Sequence, residues 1–162
     1  MADYYTEFSV ELGNLTKEEK TWLVDFLDEY PEDKYEDEKF MKEWTKPRKQ
    51  VIKEAMVDDV ECWPEVDYIG ESGCLYLFSE ESRNPDFTAY VIQEFLKKFR
   101  PDDYVTFEWA YTCSKPRPEG FGGGAAFITA KKVSIMGTSN WLYQKENQFN
   151  NRRKKSAQIS AG

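Results

Sequence analysis

Apolar and polar residues alternate from Tyr5 to Leu12. Phe8, Val10 and Leu12 fall on one face, and Glu7, Ser9 and Glu11 on the other. That period of two predicts a half-buried strand. The period then changes. Trp22, Leu23, Phe26, Leu27 and Tyr30 recur at helical spacing, Thr16 with Glu19 makes a capping box, and Pro31 ends the run. Val66, Tyr68 and Ile69, a turn at Glu71-Ser72-Gly73, and the apolar segment Cys74 to Phe78 predict a hairpin. A second helix follows. Asn84 caps it, Pro85 suits its first position, and Phe87, Tyr90, Val91, Phe95 and Phe99 form its buried stripe. Lys97, Lys98 and Arg100 suit the negative end of its dipole, and Pro101 stops it. Alternation returns between Tyr104 and Cys113: Val105, Phe107, Trp109 and Tyr111 share one face, and Thr106, Glu108, Ala110 and Thr112 the other. "AAFITAKKVSIMG" then reads as two short strands around Lys131 and Lys132. Ser139 to Glu146 reads as a closing element that buries Trp141 and Leu142.

The order is β-α-insertion-β-β-α-β with a β extension. It predicts an α+β fold, a ferredoxin-like split β-α-β sandwich with both helices on one face of an antiparallel sheet. The expected organisation is one domain over residues 1–146 with a charged insertion at about 31–63. Residues 147–162 form a polar, basic tail or a helical extension. A length of 162 residues, 40% hydrophobic and 16% aromatic, suits one domain with a real core. No apolar run approaches a membrane span, and "MADYYTEFSV" lacks the pattern of a signal peptide, so the expected location is the cytoplasm.

The net charge of −8 is unevenly placed: residues 1–110 carry −15 and residues 111–162 carry +7. The acid peaks between Asp28 and Glu38. Asp28, Glu29, Glu32, Asp33, Glu36, Asp37 and Glu38 read either as a solubilising surface or as a docking face. A basic protein partner suits such a face, with the acid as a mimic of nucleic acid. The tail residues "NRRKK" are a weak polyanion signal, and nucleic acid does not suit the acidic body.

Chemistry concentrates in "TCSKPRPEGFGGGAA", Thr112 to Ala126. Gly122, Gly123 and Gly124 permit close backbone approach, and successive N–H groups in such a turn can form an anion nest. Lys115 and Arg117 supply charge, and Trp109, Tyr111 or Phe121 can stack on a base or sugar. Ser114 completes the set. The spacing is that of neither a P-loop nor a dinucleotide fingerprint, so the alternative is a stiff turn bent over the sheet. Cys113 beside Lys115 has no histidine to serve as base, since the chain contains none, and reads as a strand-end thiol. The odd number of cysteines, three without CxxC spacing, fits reduced thiols. Glu108 with Asp102 and Asp103 matches no metal motif. No metal and no cofactor are expected.

The stretch "FEWAYTCSKPRPEGFGGGA", Phe107 to Ala125, resembles the signature of a family of small bacterial and phage proteins without an assigned activity. That signature runs F-x-W-A-x-T-C-S-[KR]-P-R, a short spacer, F-G-G-G-A, and a later Trp-Leu pair, here Trp141 and Leu142. The opening Ala2 to Ser9 is also similar. The resemblance covers both ends of the body and leaves out the insertion and the tail. It implies an accessory role in phages or mobile elements, including interference with host defence, by association rather than mechanism.

Together these features lead to the expectation of a noncatalytic binding protein, not an enzyme. Its first expected ligand is a small phosphorylated or nucleotide-like molecule at Lys115 to Gly124. The alternative is an acidic inhibitor or nucleic-acid mimic.

Overall fold

The computed structural model describes residues 1–28, 64–69 and 73–161. The expected insertion, Tyr30, Cys62, and the acidic residues Glu29, Glu32, Asp33, Glu36, Asp37 and Glu38 lie outside them.

Strand β1 (Tyr4–Leu12) runs into helix α1 (Lys17–Asp28). Strands β2 (Glu65–Ile69) and β3 (Cys74–Ser79) form the hairpin, with Gly73 at φ +66° just ahead of β3. Helix α2 (Pro85–Phe99) leads to β4 (Tyr104–Cys113). Strands β5 (Gly122–Thr129) and β6 (Val133–Gly137) follow, and helix α3 (Thr138–Ser160) comes last. All strand pairs are antiparallel, and the order is β2-β3-β1-β4-β5-β6. The first four positions, β2-β3-β1-β4, are the ferredoxin-like arrangement. β5 and β6 extend it past β4.

Pairing register decides which side chains share a face. Phe8 lies opposite Trp109, Val10 opposite Leu77, Leu12 opposite Leu75, and Phe107 opposite Ala126. These residues are buried together with Leu23 of α1 and with Phe87, Val91, Ile92, Phe95 and Leu96 of α2. Both helices therefore cover one face, as the alternation predicted. Trp22 packs on Phe26 at 4.8 Å and edge-on to Phe99 at 5.7 Å, which joins α1 to α2. The Asn84 side chain accepts from the backbone N–H of Asp86 and Phe87, the expected cap.

Two local expectations fail. Trp141 and Leu142 are 52% and 53% exposed, not buried. They belong to α3, whose apolar residues are too scattered to make a stripe, so no residue of this helix reaches the core. The glycines Gly122 to Gly124, expected in the loop, are the first residues of β5, paired with Tyr111, Ala110 and Trp109. Among the described residues no helix is long and apolar enough to cross a membrane.

Candidate functional site: the open sheet face

The second face of the sheet carries no helix from α1 or α2. Register assigns to it Tyr5, Glu7, Ser9 and Glu11 of β1, Glu65 and Asp67 of β2, and Tyr76 and Phe78 of β3. β4 adds Tyr104, Thr106, Glu108, Ala110 and Thr112; β5 and β6 add Ala125, Phe127, Thr129, Ser134 and Met136. Glu7, Glu11, Glu65, Asp67 and Glu108 give this face five carboxylates, and none of the strand residues just named is Lys or Arg.

The face is graded across its width. Carboxylates dominate from β2 to β4. Toward β6 the surface turns apolar: Tyr104 stacks on Phe127 with ring centroids 5.1 Å apart, and Tyr104, Phe127 and Met136 are about half exposed. Two adjoining open depressions, of about 440 and 590 Å³, mark this region. Both are lined by Glu108, Ala125 and Met136, and Glu7 joins the smaller one.

Neutral hydroxyls orient two of the carboxylates. Thr112 Oγ1 donates to Glu7 Oε2 at 2.9 Å, and the Tyr76 hydroxyl donates to Glu11 Oε2 at 3.0 Å. The second bond holds the Tyr76 hydroxyl above the ordinary tyrosine range. Glu65 instead has a cation beside it, Arg83, 3.8 Å away at the sheet edge. An exposed sheet of this kind presents pre-oriented negative charge next to an aromatic platform, which suits a cationic, partly apolar segment.

The residues of the glycine-rich stretch are divided. Trp109 faces the core, 7% exposed, and its Nε1–H has no acceptor among the described residues. The indole lies against Gly124, and Gly120 lies against Cys113. Gly123 donates its N–H to Thr138 Oγ1 at 3.0 Å, and the same hydroxyl donates to the Gly123 carbonyl at 3.1 Å. Ser114 is tied to the N-terminal segment: its N–H donates to the Asp3 carbonyl, and its Oγ accepts from the Asp3 N–H, both at 2.9 Å. Arg117 N–H donates to the Lys115 carbonyl at 2.7 Å, closing a tight turn, and a short 3-10 turn at Pro118–Gly120 follows. The side chains of Tyr111, Lys115, Arg117 and Phe121 remain exposed. Asp28 ends α1. Among the described residues, no three His, Cys, Asp or Glu side chains gather as metal ligands would.

Strand alternation places Glu7, Ser9 and Glu11 on one polar face and Thr106, Glu108, Ala110 and Thr112 on another. It does not join them into a site. The signal is present, because in the ferredoxin-like order β1 and β4 are neighbours, so their polar faces merge. No family model, no curated protein and no solved structure matches the chain.

Proposed function

We propose that this protein is a noncatalytic binding module that captures a cationic, amphipathic segment of a protein partner on its open sheet face. The observation that carries this reading is the charge of that face, where five carboxylates border an exposed aromatic patch and no strand residue supplies a cation. Electrostatic complementarity of this sort sets partner choice and association rate, and the aromatic patch supplies the apolar contact. A fluorescein-labelled amphipathic Lys/Leu peptide is the direct probe. Anisotropy should report binding at about 50 mM salt that weakens at least tenfold at about 500 mM. The Glu7→Lys/Glu108→Lys variant should lose binding at either salt while keeping its melting temperature. A peptide bound equally by wild type and variant would refute the reading.

One observation favours a second reading, a small anionic ligand at the turn after β4. Lys115 and Arg117 are exposed there beside the half-exposed rings of Tyr111 and Phe121, a set that can pair with phosphate and stack on a base. Titration with ATP should then give a saturable isotherm that Lys115→Ala/Arg117→Ala weakens at least tenfold without loss of thermal stability. An isotherm unchanged by the double substitution would end this reading.

A further inference from the structure

Helix α3 is 23 residues long, and none of its residues is buried. An isolated helix of this composition is marginal in water, because most helical stability in proteins comes from packing one face against something else. Among the described residues, its hydrogen bonds to the rest of the chain lie in its first turn, between Thr138 and the Gly123 backbone. Large apolar side chains stand in solvent along it: Trp141, Leu142 and Tyr143, then Phe149, then Ile159. Lys145 and Arg153 lie over the Trp141 and Phe149 rings, at 5.5 and 5.9 Å. The helix therefore has a first half rich in aromatic residues and a later cationic cluster, Arg152, Arg153, Lys154 and Lys155.

The open sheet face has the complementary order. Tyr104, Phe127 and Met136 mark its apolar side at β4–β6, and Glu7, Glu11, Glu65 and Asp67 mark its acidic side at β1–β2. The dimensions match as well. At 1.5 Å per residue α3 is about 35 Å long, and six strands spaced about 4.8 Å apart span about 24 Å. From Leu142 to Lys155 the helix advances about 20 Å. The step from β5 to β2 is about 19 Å. Leu142 and Phe149, seven residues apart, share one side of the helix; laid across the strands with these two on the aromatic patch, α3 would bring Arg153 and, beside it, Arg152 over the carboxylates, while Lys154 and Lys155 add positive charge from its other sides.

We propose that α3 of one chain lies across the open sheet face of a second copy, and that the exchange is mutual, closing a two-fold dimer. This deepens the proposed function and rests on it, since it names the chain's own helix as a cationic segment the face accepts. It also accounts for the division of charge along the sequence. A negative body and a positive C-terminal part make the chain complementary to itself, and an isologous pair closes without free ends. A nucleic acid is the other occupant that the basic cluster of α3 would suit. The acidic face speaks for the second copy, because a polyanion would leave that face unmatched.

The test is sedimentation velocity on the full chain with charge-swapped variants. Wild type should sediment as a dimer of the 19.1 kDa chain and shift toward monomer as salt rises. Reversing the helix (Arg152→Glu/Arg153→Glu/Lys154→Glu/Lys155→Glu) or the face (Glu7→Lys/Glu11→Lys/Asp67→Lys) should each weaken dimerisation at least tenfold. Mixing the two variants should restore a dimer, because each reversed helix then meets an oppositely charged face. That rescue separates charge pairing from misfolding. A wild-type monomer at all salt concentrations, or a mixture that stays monomeric, overturns the proposal. So does a monomer whose α3 binds single-stranded DNA in a salt-dependent way. If wild type is monomeric yet its face still binds the Lys/Leu peptide, the self-association fails and the proposed function stands. If the peptide is also ignored, both fail.

Discussion

Arg100→Ala should destabilise the fold by about 3 kcal/mol, measured by urea denaturation near neutral pH. Arg100 follows the last residue of α2, and its guanidinium grips the start of α1. Nε donates to Glu19 Oε1 at 2.9 Å and Nη2 to Glu19 Oε2 at 3.0 Å, a bidentate pair. The same group reaches the carbonyls of Gly13 and Asn14, at 3.2 and 3.1 Å from Nη2. Glu19 meanwhile closes the capping box: its Oε2 accepts from Thr16 N–H at 2.8 Å, and its own N–H donates to Thr16 Oγ1 at 3.2 Å. One ion pair thus joins the end of α2, the first turn of α1 and the link from β1. Glu19 is only 7% exposed, so removing Arg100 leaves its charge poorly solvated, with the Thr16 N–H as its remaining partner among the described residues. Arg100→Lys should recover only part of the loss, since an ammonium cannot form the fork. Arg100→Ala/Glu19→Gln should be more stable than Arg100→Ala alone, because the amide keeps the contact to Thr16 without the charge. If the single and double variants are equally stable, the buried-charge explanation is wrong.

The same pair gives stability a pH dependence. The Arg100 hydrogen bond holds the Glu19 carboxyl below its ordinary value of 4.5, against the upward push of burial. The folded state therefore binds this proton less readily than the unfolded state. The contribution is complete above 4.5 and is lost as pH falls through 4.5 toward the lower folded value. In Arg100→Ala the hydrogen bond is gone and burial remains, so the fall in stability across that window should shrink or reverse. An unchanged pH slope in the variant would show that Glu19 is not the titrating group.

The parts of this fold that were legible in the sequence are those governed by local period. β1, α1, α2 and β4 each show one apolar face, and the two helices carry their own start signals at Thr16 and Asn84. With the β2–β3 hairpin between the two helices, their order suggests the ferredoxin-like sheet. What escaped depends on partners distant in sequence. Local sequence makes Arg100 a dipole-complementing residue, whereas its main partner, Glu19, lies 81 positions away. Trp141 and Leu142 were read as core because they are large and apolar. They stand in solvent because α3 lays no continuous apolar stripe on the core of its own chain, and none of its residues is buried there. The candidate face was half legible: each polar strand face was identified, but a face becomes a site only when strand neighbours are known. Glycines mark turns when no context is known. Here Gly122 to Gly124 are strand residues because of what lies across the ladder from them.

That context makes Gly124→Ala the sharpest test of the core at β4–β5. Gly124 pairs with Trp109 on one side and Gly137 on the other. A Cβ at this position would overlap the Trp109 indole and stand 2.7 Å from the Met136 carbonyl oxygen. The indole is a buried member of the core cluster, with the Phe107 ring at 5.7 Å, so it has little room to move. Overpacking of this kind costs about 2–3 kcal/mol. Gly137→Ala is the contrasting case: its Cβ would meet nothing closer than Asn140 Nδ2 at 3.9 Å, so it should cost only the cap penalty of alanine at the N-cap of α3, under about 1 kcal/mol. Trp109→Leu, which shortens the obstructing side chain, should destabilise the protein by itself yet relieve Gly124→Ala. The double variant should then be at least 1 kcal/mol more stable than the two single losses predict by addition. Additive losses would mean that the carbonyl of Met136, not the indole, excludes a side chain at position 124. Because Thr138 grips Gly123 next door, Gly124→Ala should also loosen the root of α3, seen as faster amide exchange at Ser139 and Asn140 than in wild type.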